Sequence, residues 1–149
     1  MRAVIQRVNT CTVEINGELF SQIDEGILVL LGIKDDDVLD DILYLVDKIV
    51  NLRIFEDEQG KMNKSIIDMQ KQIMVVSQFT LYGDCKKGRR PSYIRAARPE
   101  KAKKLYKRFL EEIKKNSLLL RSGVFGADMK VKLENDGPVT ILLDSEKQF

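Results

Sequence analysis

The segment Gly26–Ile33, GILVLLGI, constrains the fold more than any other part of this chain. Its apolar run does not alternate, so a strand here presents greasy side chains to both faces and must be covered on both. The run is only 7 residues long, from Ile27 to Ile33, too short to span a bilayer. Strand-like sequence surrounds it. Over residues 2–8, Val4, Gln6 and Val8 fall on one face, with Ala3, Ile5 and Arg7 on the other. Cys11 to Ile15 continues this pattern and ends at Asn16-Gly17, a dipeptide suited to the positive φ angles of a tight hairpin. Leu19 to Ile23 is the predicted return strand, so a hairpin lies beside the buried strand.

Two amphipathic helices supply covering layers. The first runs from about Asp37 to Asn51, with Val38, Ile42, Leu45, Val46 and Ile49 on one stripe and acidic residues crowded at its N-terminus. The second begins at Pro99, a residue that suits a first helical turn, and buries Ala102, Leu105, Tyr106, Phe109, Leu110 and Ile113. Between them, Arg53-Ile54-Phe55 reads as a short strand, EDEQGK as a turn, and Gln72 to Tyr82 as a longer strand. After the second helix, Met129, Val131 and Leu133 alternate with Lys130 and Lys132. A turn, Asn135-Asp136-Gly137-Pro138, then leads to a last strand, Val139 to Leu143. With hairpin-type connections this order means α+β with mostly antiparallel sheet. The 149 residues form one domain, 1–149, and a chain of this size buries about two-thirds of its surface on folding.

The chain has no histidine, which excludes Ser-His-Asp and Cys-His catalysis within it and any zinc site that needs imidazole. Cys11 and Cys85 are far apart and lack metal-ligand spacing, so they read as reduced thiols of a soluble, cytoplasmic protein. The net charge of +2 conceals a division. Asp84 to Lys115 holds 13 Lys/Arg against 4 Asp/Glu, so the rest of the chain is acidic. That basic segment suits either a polyanionic partner or a solvated helix face and loop. Its loop combines Lys86, Lys87, Arg89, Arg90, Arg95 and Arg98 with Tyr93, a mixture fit for phosphate contacts and stacking. Ser77-Gln78-Phe79-Thr80 places hydroxyls and an amide at a strand end, either as a site or simply bonded to backbone. Thr80 has no base beside it in sequence. Gly137-Pro138 is a turn dipeptide that admits a cis bond, although a trans turn is the commoner outcome.

These segments together resemble the D-aminoacyl-tRNA deacylase family. The resemblance spans the chain and rests on SQFTL (77–81) and NDGPVT (135–140). QRV (6–8), GILVLLGI (26–33), LRIFEDEQGKMNKS (52–65), KKGRRPSY (86–93) and FGADMKVKL (125–133) support it. One departure is Ser21-Gln22, where the family would place a glycine-containing hairpin. The resemblance implies mostly antiparallel sheets forming a barrel-like core, two main helices outside it, and a homodimer with its sites at the subunit interface. It implies hydrolysis of the ester joining a D-amino acid, or glycine, to the 3′-terminal adenosine of tRNA, without metal or other cofactor and away from membranes. It also implies roles for residues. Thr80 and Ser77 would be catalytic, more as positioning groups than as nucleophiles. Gln78, Phe79 and Met129 would line the substrate site. Gly137-Pro138, in cis and braced by Arg7, would reach into the neighbouring subunit and reject L side chains. Lys86, Lys87, Arg89 and Arg90 would bind tRNA. Two other readings of the residues are a non-catalytic tRNA-binding module and a threonine-nucleophile amidase.

Overall fold

A computed structural model describes residues 1–148. The first strand, β1 (Arg2–Ile15), is long enough to organise the whole sheet. Along one edge it pairs antiparallel first with β3 (Gly26–Gly32) and then with β2 (Glu18–Ile23), the Asn16-Gly17 hairpin folding as expected. Asn16 and Gly17 both take the positive φ that such a turn demands. Ser21 and Gln22 lie in β2 opposite Val13 and Thr12, and the register shifts just before Ser21, where Phe20 bulges. β8 (Lys130–Asp144) pairs antiparallel with β1 in the same sheet.

β3 is buried on both faces, as its sequence requires. Ile27, Val29 and Leu31 join the core beneath the helices, whereas Leu28 joins a second core with Val8, Cys11, Val13, Ile23, Met74 and Val76. Its other neighbour is β6 (Gln72–Ser77), which pairs in parallel and is followed, again in parallel, by β7 (Leu120–Ser122). The sheet is therefore mixed. The parallel pairs arise because helices intervene: α1 (Leu39–Val50) lies between β3 and β6, and α3 (Pro99–Lys114) between β6 and β7. The Ser21 hydroxyl donates to the Ser122 carbonyl at 3.0 Å, joining β2 to β7 and nearly closing a barrel.

Both long helices sit close to where their stripes predict, but α1 starts at Leu39, so Val38, expected on the buried stripe, is instead an exposed N-cap residue. α1 buries Ile42, Leu45 and Ile49, and the Asp41 carboxylate accepts from the Val38 N–H at 2.8 Å to cap it. α3 opens with Pro99 and buries Ala102, Tyr106, Phe109 and Ile113. The Tyr106 hydroxyl donates to the Val75 carbonyl at 2.8 Å, tying this helix to the central strand. A short third helix, α2 (Ile66–Met69), has a Ser65/Asp68 capping box. It and the hairpin β4 (Phe55–Glu56) with β5 (Met62–Lys64) complete the order.

Two further sequence expectations are corrected. The strand expected over Gln72–Tyr82 ends at Ser77, and Phe79–Tyr82 is a turn of 3₁₀ helix. The Gln78 N–H donates the last ladder bond, to the Leu31 carbonyl at 2.8 Å, and the chain then leaves the sheet. The turn expected at Asn135–Pro138 does not separate two strands. β8 stays on β1 throughout, but Val8 faces Asn135 while Gln6 faces Thr140, so three extra residues bulge outward. No described helix is long and apolar enough to cross a membrane.

Candidate active site

The exit of β6 builds a cleft of about 670 Å³. Ser77, Gln78 and Phe79 line it together with Phe125 and Met129, and Val76 contributes part of the apolar lining. Gly32 allows this arrangement. A Cβ there would lie 3.0 Å from the Leu81 side chain and 3.2 Å from the Gln78 carbonyl, so the 3₁₀ turn packs directly onto bare backbone. Phe79 is 58% exposed, and its ring meets Tyr93 edge to face at 5.2 Å between centroids. The pair forms an aromatic rim.

In the first turn of a helix, backbone N–H groups have no preceding carbonyl to bond. Phe79 and Thr80 hold that position here, and both residues are exposed. Thr80 is not part of the cleft lining. Its hydroxyl accepts from the Gln78 amide, which donates a hydrogen and offers no base. This turn thus presents backbone N–H groups at Phe79 and Thr80, with the Gln78 amide as the partner of the Thr80 hydroxyl. Tyr82 closes it from beneath, between the guanidinium groups of Arg2 and Arg95, 4.9 and 5.8 Å from its ring centroid. Burial raises the Tyr82 phenol well above its ordinary value.

A second constellation lies on the β8 bulge. The Gly137-Pro138 peptide is cis, and both residues are exposed. Gly137 has φ +111°, and a Cβ there would lie 3.0 Å from an Arg7 guanidinium nitrogen. Arg7 is only 7% exposed. Its Nη1 donates to the Ile54 carbonyl at 2.6 Å. Its Nε lies 2.7 Å from the Asp136 carboxylate in an ion pair whose angle does not make a hydrogen bond. Asn135 staples the bulge, donating to the Arg7 carbonyl at 2.8 Å and the Val139 carbonyl at 3.0 Å.

Ser77, Gln78, Phe79 and Met129 therefore meet in one cleft, with Thr80 at its edge. Gly137, Pro138 and Arg7 meet elsewhere, and neither Gly137 nor Pro138 lines that cleft. Lys86, Lys87, Arg89 and Arg90 lie on an exposed loop pinned at its ends by Asp84 and Ser92, whose backbones exchange hydrogen bonds of 2.8 and 2.9 Å. Sequence reasoning gave no role to Asn135, although it stands inside the NDGPVT segment, or to Ile54, whose carbonyl receives Arg7.

A family model described as D-Tyr-tRNA(Tyr) deacylase matches residues 4–144. The chain is 59% identical over 150 residues to a D-aminoacyl-tRNA deacylase of Thermosipho melanesiensis, an alignment covering both chains completely. The chain belongs to this family. A D-aminoacyl-tRNA deacylase of Clostridium kluyveri is 55% identical over 149 residues, again with both chains covered completely. Among solved structures, one titled c-Myc DNA Unwinding Element Binding Protein superimposes with a TM-score of 0.92 at 46% identity, covering 97% of this chain and 98% of that one. A probable eukaryotic D-amino acid tRNA deacylase, at TM-score 0.82 and 17% identity, has the same fold over 95% of this chain and 97% of that one. The deacylase family thus accounts for the whole described fold.

Proposed function

We propose that this chain hydrolyses the ester bond of D-aminoacyl-tRNA, and of glycyl-tRNA mischarged on tRNA-Ala, as a cytoplasmic homodimer. The observation that carries the reading is its full-length identity of 59% with a D-aminoacyl-tRNA deacylase. The geometry supports it through two features made of backbone. The first is the exposed 3₁₀ turn. Unpaired N–H groups at Phe79 and Thr80 suit the oxyanion that forms when water adds to an ester carbonyl, and one such donor contributes roughly 10²–10³ in rate. The carbon–oxygen bond to the ribose then breaks, its electron pair leaves with the 3′-oxygen, and that oxygen takes up a proton. Aminoacyl esters are reactive, so holding the ester and water in place supplies much of what remains. Thr80 and Ser77 serve here as positioning groups, beside Gln78, Phe79 and Met129 against the substrate.

The second feature is the cis Gly137-Pro138 bulge. In a second copy it would present two carbonyls to the substrate's α-amino group and block the side of the carbon where an L side chain would lie. Rigid backbone can reject one hand for many side chains at once, and glycine, which lacks a side chain, passes. Arg7, wedged between Ile54, Asp136 and Gly137, would hold the bulge. Lys86, Lys87, Arg89 and Arg90 would contact tRNA phosphates.

Purified protein given D-Tyr-tRNA and L-Tyr-tRNA should release tyrosine from the D form at least about 100-fold faster, the contribution of about 2.7 kcal/mol. Equal rates, or no release from the D form, would overturn the reading. In the same assay, Thr80→Ala should keep activity within about tenfold of the parent, since it loses a hydrogen bond but no nucleophile. A loss as large as that from removing the whole site, with an acyl group trapped on Thr80 of the parent, would instead favour covalent catalysis.

A further inference from the structure

We propose that one flank of α3, carrying Lys103, Lys107 and Lys114, is a phosphate-binding ridge along which the sugar–phosphate backbone of the tRNA acceptor stem lies. This rests on the deacylase reading and adds to it a surface distinct from the 86–90 loop. The cations of α3 fall into two rows. At 100° per residue, Lys101, Lys104, Arg108 and Lys115 lie within about 60° of each other, and Lys103, Lys107 and Lys114 form a second row about 110° away.

Three of the four cations of the first row are engaged within the molecule, and the fourth, Lys104, is exposed without a described ion pair. Lys101 donates to the Asp35 carbonyl, and Arg108 and Lys115 both pair with Glu112, at 2.6 and 2.7 Å. Glu111 adds a further contact to Arg108 at 3.4 Å. The second row is different. Lys103, Lys107 and Lys114 are exposed, and among the described residues none of them makes an ion pair or a side-chain hydrogen bond. Glu100, in the first turn, is the carboxylate nearest this row in projection.

The open row is also on the correct side. Lys101 and Asp35 mark the flank of α3 that faces the start of α1. Tyr106, between the buried stripe and the open row, packs its ring on Phe125 at 5.8 Å. Phe125 and Met129 line the cleft, as do Arg98 and Ala102 at the start of α3. The open row therefore runs from the cleft end of the helix, on the flank of the 125–129 loop, for about 16 Å. An RNA whose 3′ end enters the cleft continues as a duplex of closely spaced phosphates. A row of unpaired ammonium groups beside the entrance neutralises them without reading bases, which suits a catalyst that must accept many tRNAs.

The test compares the parent with Lys103→Gln/Lys107→Gln/Lys114→Gln and with a control, Lys48→Gln/Lys61→Gln/Lys147→Gln, which removes the same charge outside α3. Fluorescence anisotropy with uncharged tRNA reads the ridge without turnover. The ridge variant should bind about tenfold or more weakly at 0.1 M salt, with a salt dependence shallower by about 2–3 in log K against log salt. The control should bind as the parent does. With D-Tyr-tRNA the ridge variant should show a raised KM and an unchanged kcat. With D-tyrosyl-adenosine, which lacks the stem, it should match the parent. Unchanged binding and salt slope, equal weakening in the control, or equal losses on the two substrates would each overturn the ridge. A parent that binds tRNA through these lysines but deacylates nothing would refute the enzymatic reading and leave the ridge standing.

Discussion

Cys11 and Thr80 show how neighbours decide what a reactive residue type does. From sequence alone Cys11 reads as a reduced thiol and Thr80 stays open, since a thiol and a hydroxyl announce chemistry without announcing their surroundings. Cys11 lies on β1 in the second core, fully buried, and burial pushes its thiol up to about 11 from an ordinary 9.0. The sign of the consequence follows from proton binding. Between those two values the folded chain keeps a proton that the unfolded chain has lost, so this group's stabilising contribution is complete below about pH 9 and fades as pH rises toward about 11. Stability measured by urea unfolding from pH 8 to 11 should fall less steeply in Cys11→Ala than in the parent, at up to about 1.4 kcal/mol per pH unit of difference. Identical slopes would show that Cys11 titrates normally. Thr80 is the opposite case, exposed but served only by the Gln78 amide. Its sequence neighbours contained no base, and the fold brings it a donor instead.

At the scale of elements, periodicity was a good guide where side chains face a uniform core and a poor one where backbone must turn. α1, α3 and β3 are where their apolar patterns put them, because each pattern has one way to be buried. The end of β6 was illegible, since SQFTLY still reads as strand by residue type. What stops it is the packing of the 3₁₀ turn on Gly32, which precedes α1, β4, β5, α2 and β6 in sequence. β7 and α2, with 3 and 4 residues, are too short to leave any period at all. The β8 bulge was read as a turn for a sound local reason, the run Asn-Asp-Gly-Pro. Its pairing with β1 on both sides is long-range information that no local window contains. Asn135 holds it, through two donated bonds and contacts of its side-chain oxygen with Thr140 at 3.3 Å and Gln6 at 3.5 Å. Asn135→Ala leaves two carbonyls without those donors, a cost of about 1–3 kcal/mol, and at this size each kcal/mol lowers Tm by about 2–4 °C. If the bulge sets chirality, the ratio of D-Tyr-tRNA to L-Tyr-tRNA hydrolysis should drop as well. A lowered Tm with an intact ratio would mean that Asn135 supports the strand but not the selection.

At the scale of the whole molecule, the two constellations are separate within one chain, and only a homodimer of the kind proposed would bring them together. The chain exposes 8865 Å², more than the roughly 7,800 Å² expected of a compact monomer of its mass. β8 is 15 residues long, pairs only with β1 among the described strands, and carries the exposed side chains of Leu133 and Leu142. A long edge strand with apolar side chains calls for a cover. A second copy there would carry Gly137-Pro138 to a neighbour's cleft. Subunit mixing tests this directly. Phe79→Pro removes one N–H from the first turn of the 3₁₀ helix, a position that tolerates proline, and Gly137→Ala places a Cβ against Arg7 and Val139. Each variant alone should be nearly inactive on D-Tyr-tRNA. Co-refolded in equal amounts, half of the dimers are mixed, and each mixed dimer has one site built from an intact turn and an intact bulge, so about a quarter of parental activity should return. If cleft and bulge served each other within a single chain, no mixture could combine them, and activity would stay at the average of the two variants.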